Sequence, residues 1–167
     1  MEYIYIGKIV STHGIKGEIK IISDFDFKEK AFKIGNRIYF GNDKKEFVIT
    51  SYRRHKNYEM ITLDGFNNIN LVLPFMKENV YILDTDLKLD ENEILDSSLN
   101  GLNIYCNEEL LGEITEIFAP SPSRKVIRFT SNGKNYLVPY MQNFVKTIDL
   151  SNRKVVLYSM EGVLECE

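Results

Sequence analysis

Metal and disulfide chemistry have almost nothing to build on in this chain. Its 167 residues include two cysteines, Cys106 and Cys166, and two histidines, His13 and His55. The cysteines have neither CxxC spacing nor a neighbouring histidine pair, so the expectation is two reduced thiols and no metal site. There is no nucleophile elbow, no phosphate-binding glycine loop and no glycine-rich dinucleotide motif between a strand and a helix. No carboxylate pair stands in an identifiable apolar setting, and acid–base catalysis usually needs such a pair or a histidine. No catalytic residue and no cofactor are therefore assigned, and the chain is expected not to be an enzyme. No apolar run approaches the roughly 20 residues that cross a bilayer. The opening Met1-Glu2-Tyr3-Ile4-Tyr5-Ile6 reads as a strand rather than a signal peptide, so a cytoplasmic protein without membrane contact is expected.

Helical periodicity is also scarce. Short runs rich in β-branched and aromatic residues recur at 3–11, 17–23, 36–41, 46–54, 57–64 and 79–83, then at 101–106, 110–118, 125–130, 134–138 and 154–158. With turn signals such as Gly41-Asn42-Asp43 and Ser131-Asn132-Gly133 between them, they predict an all-β chain of two small barrels or sandwiches. A short helix is predicted over 68–73, ended by Pro74, and a turn over 140–144 after Pro139. No internal repeat or heptad pattern appears, and a monomer is expected.

Charge is unevenly spread. Residues 1–83 carry 13 basic and 10 acidic side chains, residues 84–97 carry 1 and 6, and residues 98–167 carry 7 and 8. The acidic stretch predicts a linker at 84–97 between a first domain, 1–83, and a second, 98–167. The basic excess of the first half is small, so affinity for naked RNA is expected to be modest and salt-dependent.

Two segments of the first half carry candidate contacts. The loop His13-Gly14-Ile15-Lys16-Gly17 joins two alternating strands, and its glycines stand where a tight turn needs positive φ. The turn accounts for the glycines but not for a histidine and a lysine presented together, which suit phosphate or a polar protein surface. The run Tyr52-Arg53-Arg54-His55-Lys56-Asn57-Tyr58 is the densest basic cluster. It reads either as a solvated hairpin tip or as cations and aromatics holding an RNA backbone and its bases.

The arrangement G-K-I-V-x-T-H-G-I-K-G-E-I-K-I at 7–21 closely resembles the opening of the bacterial RimM family of ribosome maturation factors. Leu111-Gly112-Glu113-Ile114-Thr115-Glu116-Ile117, Tyr136-Leu137-Val138-Pro139-Tyr140 and Val145-Lys146-Thr147-Ile148-Asp149-Leu150 resemble the PRC barrel that follows in that family. The resemblance implies a six-stranded translation-factor-like barrel followed by a PRC barrel. It also implies binding to the immature small ribosomal subunit through the head protein numbered nineteen, and promotion of ribosomal RNA maturation as a chaperone without chemistry. Ribosome or RNA contact is then expected at His13, Gly14, Lys16, Gly17, Arg53, Arg54 and Lys56. Ribosomal-protein contact is expected at Ile94, Leu95, Pro120, Pro122, Arg124, Tyr136, Pro139, Tyr140 and Phe144.

Two segments depart from the family's pattern. Ile94 and Leu95 stand where relatives carry an aromatic pair, and either anchor a partner or pin the linker to the second barrel. Phe118 to Arg124 is proline-stiffened where relatives are glycine-rich. A general RNA-binding barrel and, less readily, a barrel-type reductase are the rival readings.

Overall fold

The computed structural model describes residues 1–121 and 123–166, and the chain divides into two compact units between Asp90 and Glu91. In the first unit, β1 (Tyr3–His13), β2 (Glu18–Ile22), β3 (Arg37–Phe40), β4 (Lys45–His55), β5 (Tyr58–Leu63) and β6 (Asn79–Leu83) close into a barrel in the order β1-β2-β5-β4-β3-β6. The long first strand makes closure possible. Its first half pairs with β6, Tyr3 opposite Leu83, and its second half with β2, His13 opposite Glu18. Irregularities between Tyr5 and Gly7 and between Ile9 and Ser11 let that strand turn from one partner to the other. The inward residues follow the period of two: Ile19 and Ile21 on β2, Ile61 and Leu63 on β5, and Val80 and Ile82 on β6 are buried.

Two single-turn helices complete this unit. Helix α1 (Lys28–Ala31), not foreseen from the sequence, delivers Ala31 and the following Phe32 to fully buried positions. Helix α2 (Ile69–Val72) is capped by Asn68, whose side chain accepts the backbone N–H of Asn70 at 2.8 Å. Pro74 does not end the helical segment as expected. The chain tightens into a 3₁₀ turn, Leu73–Phe75, whose early position tolerates a residue without an N–H. Phe75 reaches Phe40, Phe47 and Phe66 with ring centroids 4.9–5.6 Å away.

The second unit is one seven-stranded sheet: β7 (Asn103–Cys106), β8 (Glu109–Ser121), β9 (Arg124–Ser131), β10 (Lys134–Pro139), β11 (Val145–Asp149), β12 (Lys154–Leu157) and β13 (Leu164–Cys166). They lie in the order β11-β12-β7-β8-β9-β10-β13, and β12 pairs parallel with β7. Strands β11 and β13 were not predicted. Leu99, Leu102, Ile104, Ile114, Ile127, Phe129, Val138 and Val155 form its core. Among the described residues, no helix is long and apolar enough to cross a membrane.

The acidic segment is docked at both of its ends. In its first half, the N–H of Asp84 bonds the carbonyl of Glu2 at 2.9 Å, Arg37 pairs with Asp86 at 3.0 Å, Leu87 is buried, and Lys30 meets Asp90 at 3.2 Å. In its second half, Ile94 packs against the core of the second unit and Lys125 pairs with Asp96 at 2.5 Å. Exposed Glu91 and Asn92 lie between. We propose that the two units fold independently, and limited proteolysis of the native chain is expected to cut first near residues 91–93. First cuts inside 17–64 or 110–140 would contradict this.

Gly14 and Gly17 hold φ of +68° and +88°, as the turn requires, but they differ in surroundings. A Cβ at Gly14 meets nothing within 4 Å, whereas one at Gly17 falls 2.2 Å from the Phe66 carbonyl oxygen. Gly14→Val is therefore expected to cost about 1–2 kcal/mol through backbone strain alone. Gly17→Val is expected to cost clearly more, and thermal melts of the two variants will rank them.

Candidate functional site

One exposed face of the first barrel gathers the features that the sequence presents in two separate segments. His13 ends β1 and is paired with Glu18 at the start of β2, while Arg53 and His55 lie at the end of β4. Arg53 donates to both carboxylate oxygens of Glu18, from Nε at 2.9 Å and from Nη2 at 2.7 Å. The two imidazoles come together with ring centroids 5.9 Å apart. Lys20, next outward on β2, places its Nζ 5.2 Å from the ring centre of Tyr58. Lys56 follows in the β4–β5 turn with φ of +56°.

The arrangement is cationic at heart. Lys20, Arg53 and Lys56 carry three positive charges against the one carboxylate of Glu18, before either histidine is protonated. The hydrogen bonds from Arg53 hold the Glu18 carboxyl below the usual carboxylate range, burial opposing them. Desolvation, then repulsion by Arg53, Lys56, His13 and Lys20, lowers the His55 imidazole from its ordinary value.

Arg54, grouped with Arg53 in the sequence, points to the other face of β4 because side chains alternate along a strand. Its Nε meets Oε1 of Glu59 at 3.2 Å, and the Tyr52 hydroxyl donates to the same oxygen at 2.7 Å. Glu59 is fully buried, and among the described residues its Oε2 has no partner. Burial, then the bond to Glu59, pushes the Tyr52 phenol well above its usual range. Tyr52 stacks on Phe32 and, with Glu29, Lys33, Ile34 and Arg54, lines an open groove of about 460 Å³.

The remaining loop residues lie at the rim. Lys16 is exposed, while the loop itself is pinned by the N–H of Ile69 donating to the Ile15 carbonyl at 3.0 Å, with buried Gly17 against Phe66. Of its glycines, Gly17 is thus held against Phe66 while Gly14 remains exposed.

In the second unit the expected contact residues separate into two groups. Ile94, Tyr136, Tyr140 and Phe144 pack against the core, Tyr136 stacking on Phe129 with centroids 5.4 Å apart. Leu95 and Pro139 are half-buried, and Pro120 and Arg124 are exposed near the tip of the β8–β9 hairpin. Pro122 lies outside the described residues.

The sequence reading missed an apolar patch around Phe144. The N–H of Phe144 bonds the carbonyl of Met141 at 3.0 Å and that of Tyr158 bonds the carbonyl of Phe144 at 3.0 Å, so the backbones of exposed Met141 and Tyr158 lie beside that of Phe144. Exposed Met160 lies two residues before Gly162, which abuts the same ring. Met141 stood in a predicted turn, but nothing in the local pattern joined it to residues 158 and 160.

No group of three histidine, cysteine or carboxylate side chains able to hold a metal occurs among the described residues. A closed six-stranded barrel followed by a seven-stranded sheet with its own core defines a two-unit, all-β protein class. Residues 4–87 match the RimM N-terminal domain and residues 96–163 the RimM PRC barrel domain. The chain is 34% identical to the ribosome maturation factor RimM of Exiguobacterium across 100% of this chain and 99% of that protein. It is also 34% identical to that of Bacillus cereus across 98% and 99%. Among solved structures, a 16S ribosomal RNA processing protein RimM from Pseudomonas aeruginosa matches with 22% identity and a TM-score of 0.46, covering 94% of this chain and 97% of that one. The RimM N-terminal domain of Thermus thermophilus matches with 19% identity and a TM-score of 0.45, covering 53% and 98%. The chain belongs to the RimM family of ribosome maturation factors.

Adjacent arginines should behave oppositely. Arg54→Met leaves the buried Glu59 carboxylate without its cation and is expected to cost about 3 kcal/mol of stability. Arg53→Met breaks an exposed, solvent-screened pair and is expected to leave stability nearly unchanged. Denaturant titration of both variants measures the contrast.

Proposed function

We propose that the chain acts as a non-enzymatic ribosome maturation factor. In this reading it binds the immature small subunit through the head protein numbered nineteen, favours one arrangement of the head, and so promotes processing of the small-subunit ribosomal RNA. The observation that carries this reading is the match of both RimM domains, in order, across nearly the whole chain. A factor of this kind needs neither cofactor nor covalent step, because a ligand shifts a conformational equilibrium by its differential affinity for the two states. It would act as a monomer in the cytoplasm, where subunits assemble.

The two units suit different partners. The cationic face around His13 and Arg53 suits ribosomal RNA, and phosphate contacts there would give orientation and salt-dependent affinity. The second unit suits a basic ribosomal protein. From residue 84 onward the chain carries 8 basic and 14 acidic side chains, so attraction would speed the encounter. The exposed apolar groups Met141, Tyr158 and Met160 would supply the affinity, as aromatic and methionine side chains do at interface centres.

Sedimentation tests the first claim: the chain is expected to travel with precursor small subunits from cells lacking it, more than with mature ones. For the second, Tyr158→Ala with Met160→Ala is expected to weaken binding to the purified head protein about tenfold or more while leaving the fold intact. Calorimetry at low and moderate salt measures it, and unchanged affinity would move the protein contact away from Phe144.

A further inference from the structure

The histidine pair has no explanation in the packing of the barrel. His13 is exposed and His55 is half-buried. No hydrogen bond of either side chain to another described residue is seen, yet β1 and β4 bring the rings to 5.9 Å. Every element around them adds charge: Glu18 and Lys20 from β2, Arg53 from β4, Lys56 from the following turn, with the Tyr58 ring of β5 beneath Lys20. Glu18 is engaged through both oxygens by Arg53, which offsets its single charge, and no hydrogen bond from it to either imidazole is seen. Three cations against one carboxylate leave the group with an excess of positive charge that a further anion would balance.

Resting on the reading that this face meets ribosomal RNA, we propose that His13 and His55, framed by Lys20, Arg53 and Lys56, form a seat for a backbone phosphate of single-stranded RNA, and that the phosphate is bound together with protons taken up by the imidazoles. An imidazole pair at this spacing can present two N–H groups to one phosphate, because each ring becomes a donor at both nitrogens when protonated. The bases flanking that phosphate have Tyr58 at hand for stacking.

The direction of the pH effect follows from charge. In the free chain desolvation, and then the neighbouring cations, hold His55 below its ordinary value. An arriving phosphate reverses that field and favours the protonated rings, so protons are taken up on binding. Affinity therefore rises as pH falls from above the bound-state value toward the free-state value, by up to about tenfold per pH unit for each proton taken up. Ordinary phosphate contacts by lysine and arginine have no such slope in this range.

The test is fluorescence anisotropy of the full chain with a short labelled oligouridylate at constant ionic strength, at pH 6.0 and 7.5. The wild type and the double variant His13→Asn/His55→Asn are compared. The wild type is expected to bind at least about fivefold more tightly at pH 6.0, and the double variant is expected to be weaker and flat with pH. A flat wild-type response overturns the proposal, as does a double variant that keeps the slope. So does absence of oligouridylate binding while precursor subunits still bind, which leaves the proposed function standing. Loss of binding to subunits as well would remove that function with it.

Discussion

The first unit depends on one strand serving two partners. β1 pairs with β6 through its first residues and with β2 through its last, and this double pairing closes the barrel. Closure removes the sheet edges and sets the strand twist. It also fixes His13 at the end of a strand whose other end is held by Leu83. The loop that follows is then constrained by the approach of Gly17 to Phe66, which no side chain larger than hydrogen can share.

The same alternation that makes the core divides the proposed contact surface from the structural one. Arg53 and Arg54 are neighbours in sequence and belong to different problems. One clamps Glu18 on the outer face beside two histidines, and the other neutralises Glu59, a carboxylate with no exposed surface. A buried carboxylate held by a tyrosine and an arginine fixes the end of the β4–β5 hairpin, and that hairpin carries His55 and Lys56 outward.

Much of this was legible in the sequence. Eleven of the strands follow from alternation, and the glycine turn and the two-barrel resemblance follow from residues 7–21 and 111–150. Strand β13 is three residues long, and β11 exposes Lys146 and Thr147 in succession, so neither shows a period of two. Helix α1 is a single turn. In the site, His13 and the Arg53 segment were both visible, but their meeting was not. It depends on the twist across β2, β5 and β4, and local pattern carries no information on that. The patch around Phe144 was hidden for the same reason, since a turn, a strand end and a later loop meet there only in the fold. Of the expected protein-contact residues, Ile94, Tyr136, Tyr140 and Phe144 are partly buried and pack against the second core. An aromatic or aliphatic residue reads the same in sequence whether it faces a partner or its own barrel.

The central claim is a division of labour, with the outer face of the first barrel toward RNA and the Phe144 patch of the second unit toward protein. Photo-crosslinking tests it most directly, with a photoreactive residue placed at position 56 in one variant and at position 158 in another, each bound to precursor small subunits. The account predicts adducts to ribosomal RNA from position 56 and to a ribosomal protein from position 158. Protein adducts alone from position 56, or RNA adducts alone from position 158, would contradict it.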